Sequence, residues 1–167
     1  FQQFVKLAGT IGTCRHYLCI DADHVLIRPH VFLTEGQDTV FYMSYEEHQP
    51  YYDLIRRLLP SVKLAGLSYV AHKMLFDKEE VAALQRALSE AGGGKPWQEV
   101  ILNAIDRNVL SGFSEFETYG SFVSRKVLRP WKQKRLSYSK LADYETLRRR
   151  YQSRRWSLTF PEYMEHK

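Results

Sequence analysis

Two aspartates one residue apart close a short apolar run, Tyr17-Leu18-Cys19-Ile20-Asp21-Ala22-Asp23. On an extended segment, residues spaced i and i+2 point to the same side, so Asp21 and Asp23 pair while Ala22 turns away. Two hard oxygen ligands suit Mg²⁺ or Mn²⁺, ions that complete their shells with water and a substrate's phosphates. The uncharged residues ahead of the acids predict a strand covered on both faces, and open α/β sheets place their ligands at the carboxyl ends of such strands. A strand followed by an Asx-type turn with solvated acids accounts for the same seven residues.

A second group of chemically capable residues lies in Phe113-Ser114-Glu115-Phe116-Glu117-Thr118-Tyr119-Gly120. Ser114 and Glu117 satisfy the S-x-x-E capping box of a helix start, which gives Glu117 a structural job. Glu115 falls at the first helical position, with its carboxylate in the positive end of the helix dipole. There it complements the dipole, and it is also free to accept a substrate hydroxyl's hydrogen bond and act as general base. His72 is expected at the end of a strand over 67–71, on the same edge of the sheet. A neutral imidazole, with an ordinary pKa of about 6.5, takes a proton or orients a hydroxyl there.

The elements that must position these groups alternate in an α/β pattern. A helix ends over 1–7, with Phe4 and Leu7 at helical spacing and Gly9 able to stop it. The strand over 17–20 leads through the acids to an extended 25–27, closed by Arg28-Pro29. Residues 39–43 are a second β candidate, and 49–59 a helix ended by Pro60. Asp77 with Glu80 marks the start of a helix carrying Val81, Leu84 and Leu88, which stops in Gly92-Gly93-Gly94. Those glycines lack the G-x-G-x-x-G spacing of a dinucleotide loop. Pro96 opens a helix with Val100, Ile101, Ala104 and Ile105 on one face. Leu141, Tyr144, Leu147 and Tyr151 mark a late helix with a basic outer face, and 156–160 reads as a last strand. With no repeat, low-complexity tract or linker, residues 1–167 are expected to form one domain.

Composition narrows the function classes. The 167 residues, 44% hydrophobic, suffice for one packed core. No run approaches the roughly 20 apolar residues of a membrane span, and no secretory leader opens the sequence. The chain starts at Phe1 inside a running helix, so it is expected to be part of a longer protein. Cys14 and Cys19 form no C-x-x-C pair and suit a reducing, cytoplasmic compartment. The net charge of +5 concentrates in the last third: Arg125, Lys126, Arg129, Lys132, Lys134, Arg135, Arg148, Arg149, Arg150, Arg154 and Arg155. Such a block is either a solvated basic face or a surface for nucleic acid, an anionic membrane or phosphate-bearing substrates. Tyr138, Tyr144, Tyr151 and Trp156 interleave with it, so a non-enzymatic nucleic-acid-binding module is one alternative. It leaves Asp21, Asp23 and the segment around Glu115 without purpose. A Mg-dependent nucleotidyl or phosphoryl transferase is another, but neither a phosphate-cradling loop nor further nearby acids are found.

Taken in order, Gln2-Gln3-Phe4-Val5-Lys6-Leu7, the D-x-D, Ser68-Tyr69-Val70-Ala71-His72-Lys73-Met74-Leu75-Phe76 and the segment from Phe113 to Gly120 resemble the bacterial DUF6492-type glycosyltransferases of the GT-A clan. The resemblance implies a GT-A-like mixed sheet flanked by helices, here the distal portion of a domain whose N-terminal, nucleotide-binding half is missing. It implies transfer of a sugar from a nucleotide-sugar donor to a hydroxyl of a saccharide or lipid-linked acceptor, in cell-surface polysaccharide or glycolipid synthesis, with Mn²⁺ or Mg²⁺. Asp23 would ligate the metal directly, and Asp21 would contact the donor ribose or reach the metal through water. His166 stands where the family's late histidine ligand is required. Glu115 would be the acceptor's general base in an inverting enzyme, and His72 matches the family's histidine on the acceptor side. Lys6 and Gln3 would face donor phosphate or sugar, while Tyr119 and Gly120 pack below the acceptor. The basic end would serve donor phosphates, an anionic acceptor or the inner membrane surface; nucleic acid is not an expected partner.

Overall fold

A computed structural model of the chain describes residues 1–123, 127–130 and 133–161. Among them it is a mixed α/β protein: α1 (Gln2–Lys6), β1 (His16–Ile20), β2 (His24–Leu26), β3 (Val40–Met43), α2 (Gln49–Leu58), β4 (Lys73–Asp77), α3 (Lys78–Ala91), α4 (Trp97–Ala104), α5 (Glu115–Phe122), β5 (Val127–Pro130), β6 (Gln133–Arg135), a 3₁₀ turn (Tyr138–Lys140), α6 (Tyr144–Tyr151) and β7 (Ser157–Thr159). The described helices are too short and polar to cross a membrane. Strand pairing is of both senses. β1 runs antiparallel to β4, β3 runs parallel to β5, and β7 lies between an antiparallel β2 and a parallel β6.

The helix boundaries follow local chemistry. Asp77 caps α3 by accepting from the Glu79 amide, Ser114 caps α5 by accepting from the Glu117 amide, and Asp143 caps α6 by accepting from the Thr146 amide. α2 ends before Pro60, which cannot donate to a continuing turn. At the end of α3, a Cβ on Gly92 would lie 2.1 Å from Val100 Cγ2, so only glycine lets α4 pack this close.

The principal core lies between α2, α3, α4, α5 and the faces of β1, β3 and β4, with Phe41, Tyr69, Phe76, Leu84 and Tyr119 fully enclosed. Aromatic rings knit it together: Phe76 sits 4.6 Å from Tyr119 and 5.2 Å from Tyr17, the latter stacked. A smaller cluster of Ile27, Leu136, Leu147, Leu158 and Phe160 joins α6 to the β2–β7–β6 sheet.

Three sequence expectations change. β1 is not covered on both faces: Tyr17 and Cys19 face the core, whereas Leu18 and Ile20 remain 41% and 38% exposed. Its partner is antiparallel, and antiparallel pairs commonly leave one face open. The strand expected over 67–71 does not form. Ser68 alone bridges to Ser44, the Glu117 carboxylate takes the Ser68 hydroxyl and the Tyr69 amide, and the strand begins at Lys73. His72, with φ of +59°, is in the left-handed region and cannot extend a ladder, so it precedes a strand rather than ending one. The late helix is shorter than its apolar spacing predicts: Leu141 and Tyr144 are exposed, and Leu147 is its buried residue.

Candidate metal centre

The register of β1 and β4 builds the site. The ladder closes with Ile20 opposite Lys73, and one step further the Asp21 amide donates to the His72 carbonyl at 2.9 Å. This puts both side chains at the same strand end, where His72 Nδ1 donates to Asp21 Oδ2 at 3.1 Å. The chain then turns, with the His24 amide donating to the Asp21 carbonyl, and Asp23 docks against the end of β7. The Asp23 carbonyl accepts from the Phe160 amide at 2.9 Å, and its Oδ2 accepts from the Thr159 hydroxyl at 3.2 Å. Asp21, Asp23 and His72 thereby each present one ligand atom within 4.8 Å of one another.

The donor set fits a cation. A carboxylate has no proton to give, so His72 Nδ1 must carry the hydrogen of its bond to Asp21, and a neutral ring then keeps its lone pair on Nε2. That Nε2 is buried and has no hydrogen-bond partner among the described residues, the state of a histidine oriented through its other nitrogen for metal binding. Burial alone would raise the Asp21 carboxyl. The hydrogen bonds from His72 and Lys6 outweigh it and hold the group at about 2, so it is a carboxylate at neutral pH.

Lys6 ties the acids together from the other side. Its Nζ donates to Asp21 Oδ1 at 2.7 Å and to Glu115 Oε1 at 2.6 Å, and lies 4.3 Å from the centre of the Phe116 ring. Burial works to lower its pKa, but the charges of Glu115 and Asp21 raise it overall, so the ammonium stays charged. Glu115 occupies the first position of α5, as expected, and is almost wholly buried. Its Oε2 makes no hydrogen bond among the described residues. A cleft of about 450 Å³ reaches Lys6, Asp21, Asp23, His72 and Glu115, with Tyr51 and Tyr138 on its walls. Three carboxylates face one ammonium there, leaving an excess negative charge that a divalent ion would neutralise.

Of the other expected residues, Gln3 lines the cleft but its amide donates to the Phe113 carbonyl at 2.6 Å, tethering α1 to the start of α5. Tyr119 is fully buried and its hydroxyl accepts from the Asp77 amide, and Gly120 packs against Tyr69. Glu117 is only half of a capping box, because its carboxylate reaches across to Ser68 and Tyr69 instead of back to Ser114. His166, Arg125, Lys126 and Lys132 lie outside the described residues.

Sequence reading missed the layer behind the aspartates. Lys73 is buried with no carboxylate partner among the described residues, donating to Ser157 Oγ at 3.2 Å and lying 3.2 Å from His24 Nε2. Burial pushes it down to about 7 and pushes His24, next to it, down to about 2. The His24 and His72 rings stack at 5.7 Å. The signal was a lysine leading directly into the apolar Met74-Leu75-Phe76 run. Cys19, raised to about 11 by burial, is not a nucleophile here. No protein-family model matches the chain, and no curated protein matches it.

Proposed function

We propose that the protein is a metal-dependent glycosyltransferase that moves a sugar from a nucleotide-sugar donor to the hydroxyl of a saccharide or lipid-linked acceptor. The observation that carries this reading is the convergence of Asp21, Asp23 and His72 to within 4.8 Å on a cleft that Glu115 also lines. Asp23 and Asp21 would hold Mn²⁺ or Mg²⁺, as the resemblance implies for them, and His72 would be the nitrogen ligand, a role the resemblance gives to His166 while it puts His72 on the acceptor side. When bound, such an ion stabilises the charge that develops on a departing diphosphate.

The chain's own residues supply the rest. Lys6 holds Asp21 and Glu115 in fixed relation, and its ammonium keeps the Glu115 carboxylate oriented by one oxygen. Oε2 is left to accept the proton of an acceptor hydroxyl placed in the cleft. Tyr51 and Tyr138 offer flat apolar faces for a sugar ring. Such an enzyme would act in the cytoplasm, with its basic end toward anionic lipid at the inner membrane surface. The test is product formation. With Mn²⁺ and a panel of sugar nucleotides differing in base, one donor should release its nucleoside diphosphate in the presence of saccharide or lipid-linked acceptors. Release that is equal in EDTA would remove the metal from the reaction.

A further inference from the structure

A second cavity lies away from the cleft. β6, the last turn of α6 and the turn that follows it enclose a hollow of about 390 Å³, lined by Lys134, Arg150, Tyr151, Ser153, Arg154 and Arg155. Four cations border it and, among the described residues, no carboxylate does. Several basic side chains elsewhere meet acids: Arg15 with Asp77 and Glu79, Arg56 with Asp53, Arg135 with Glu46, Arg148 with Glu145. Lys134, Arg150, Arg154 and Arg155 make no such pair among the described residues.

The four charges are gathered by the fold. A solvated helix face would spread them around α6, but they come from β6, the last turn of α6 and the turn after it, and converge on one tyrosine. Lys134 Nζ lies 5.8 Å from the Tyr151 ring centre and the Arg150 guanidinium 5.5 Å, which orients both side chains. The Tyr151 carbonyl accepts from the Arg154 amide at 3.1 Å and the Arg155 amide at 2.9 Å, folding the two arginines back toward the same residue. Like charges collected in a concavity repel one another and concentrate anions. Guanidinium forks match phosphate oxygens in pairs, and lysine adds a point charge.

We infer that this hollow is a binding site for a phosphate or diphosphate group, separate from the metal cleft. Among the described residues the two cavities share no lining residue. Arg155 lines one and Pro161 the other, with β7 between them in the chain. A diphosphate held beside Asp21 and Asp23 therefore does not account for these arginines. The ligand is a second phosphate-bearing molecule, drawn from solution or presented as a lipid headgroup. The inference stands whether or not the cleft transfers sugar.

Inorganic pyrophosphate titrated calorimetrically into the full chain, in EDTA and low salt, provides the test. Saturable binding is expected, weakened about tenfold or more in Arg150→Gln/Arg154→Gln and unchanged in Asp23→Ala. Both arginines are exposed, so the double variant should keep the wild-type circular dichroism and melting temperature. Phosphatidylcholine vesicles carrying phosphatidic acid separate the sources. Vesicle binding that pyrophosphate displaces assigns a lipid headgroup, and pyrophosphate binding without vesicle binding assigns a soluble ligand; either supports the site. Absent pyrophosphate binding, or binding indifferent to the arginine changes, overturns it. So does a single-stranded oligonucleotide that binds more tightly with a steep salt slope and resists pyrophosphate, since the hollow would then be part of a nucleic-acid groove.

Discussion

Asp21 and His72 are joined twice, by a backbone hydrogen bond from the Asp21 amide to the His72 carbonyl at 2.9 Å and by a side-chain bond from His72 Nδ1 to Asp21 Oδ2 at 3.1 Å. The first fixes where the histidine stands and the second fixes which nitrogen the carboxylate engages. A histidine held so by a carboxylate is oriented and made more basic at its other nitrogen.

His72→Ala should therefore weaken Mn²⁺ binding about tenfold to a hundredfold, read by calorimetry or by the paramagnetic signal of free Mn²⁺. His72→Gly separates backbone from ligand, because glycine accepts the +59° φ freely. Both variants should lose the metal equally while glycine melts higher. Retained Mn²⁺ affinity in either would take His72 out of the ligand set.

Glu115→Gln keeps shape and hydrogen-bonding reach but removes the base. Donor binding should stay within about twofold while turnover falls on the order of a hundredfold or more. The Lys6 contact to Asp21 survives the change, so the melting temperature should move by only a few degrees. An unchanged turnover would return Glu115 to a purely structural part, complementing the α5 dipole.

Lys73 makes stability depend on pH in an unusual direction. Its folded pKa, about 7, lies below the ordinary 10.5, so between those values the unfolded chain binds more protons than the folded one. Stability should rise with pH across that window, and the contribution is absent below pH 7 to the extent that the buried ammonium must be carried. Denaturant unfolding at pH 7 and pH 9 measures it. In Lys73→Met the rise should vanish; a rise of equal size in the variant would assign it to another group.

Gly120 is where α5 meets the core under the site. A Cβ there would lie 2.3 Å from Cγ of Tyr69, whose ring is fully enclosed and has no room to retreat. Gly120→Ala should cost about 1–3 kcal/mol by overpacking, against the gain that alanine brings to an open helix position. Because α5 carries Glu115, turnover should fall with it. Chemical denaturation reads the first effect, and a variant as stable as wild type would show that α5 can shift.

What was legible in the sequence was local. The D-x-D at a strand end, the Ser114 cap that sets Glu115 at the first position of α5, the Asp77 cap and the Pro60 stop each depend on neighbours within a few residues, and each stands where the pattern puts it. What was not legible depends on partners far along the chain. Leu18 and Ile20 look like core residues until the antiparallel β4 leaves their face open. Glu117 looks like a cap until its carboxylate is found on Ser68 and Tyr69, and Lys6 looks like a surface lysine until Asp21 and Glu115 close on it. The left-handed turn at His72 has no composition signal at all, and it alone moves the histidine from the end of one strand to the start of another.

The metal centre is most directly tested by titrating Mn²⁺ into the wild type and Asp23→Ala, each with and without a panel of sugar nucleotides. Asp23 is held at its backbone by Phe160, so removing its carboxylate should leave the fold intact. Mn²⁺ binding should strengthen with one class of donor in the wild type and be lost in the variant. Equal binding of Mn²⁺ and donor by both proteins would contradict it.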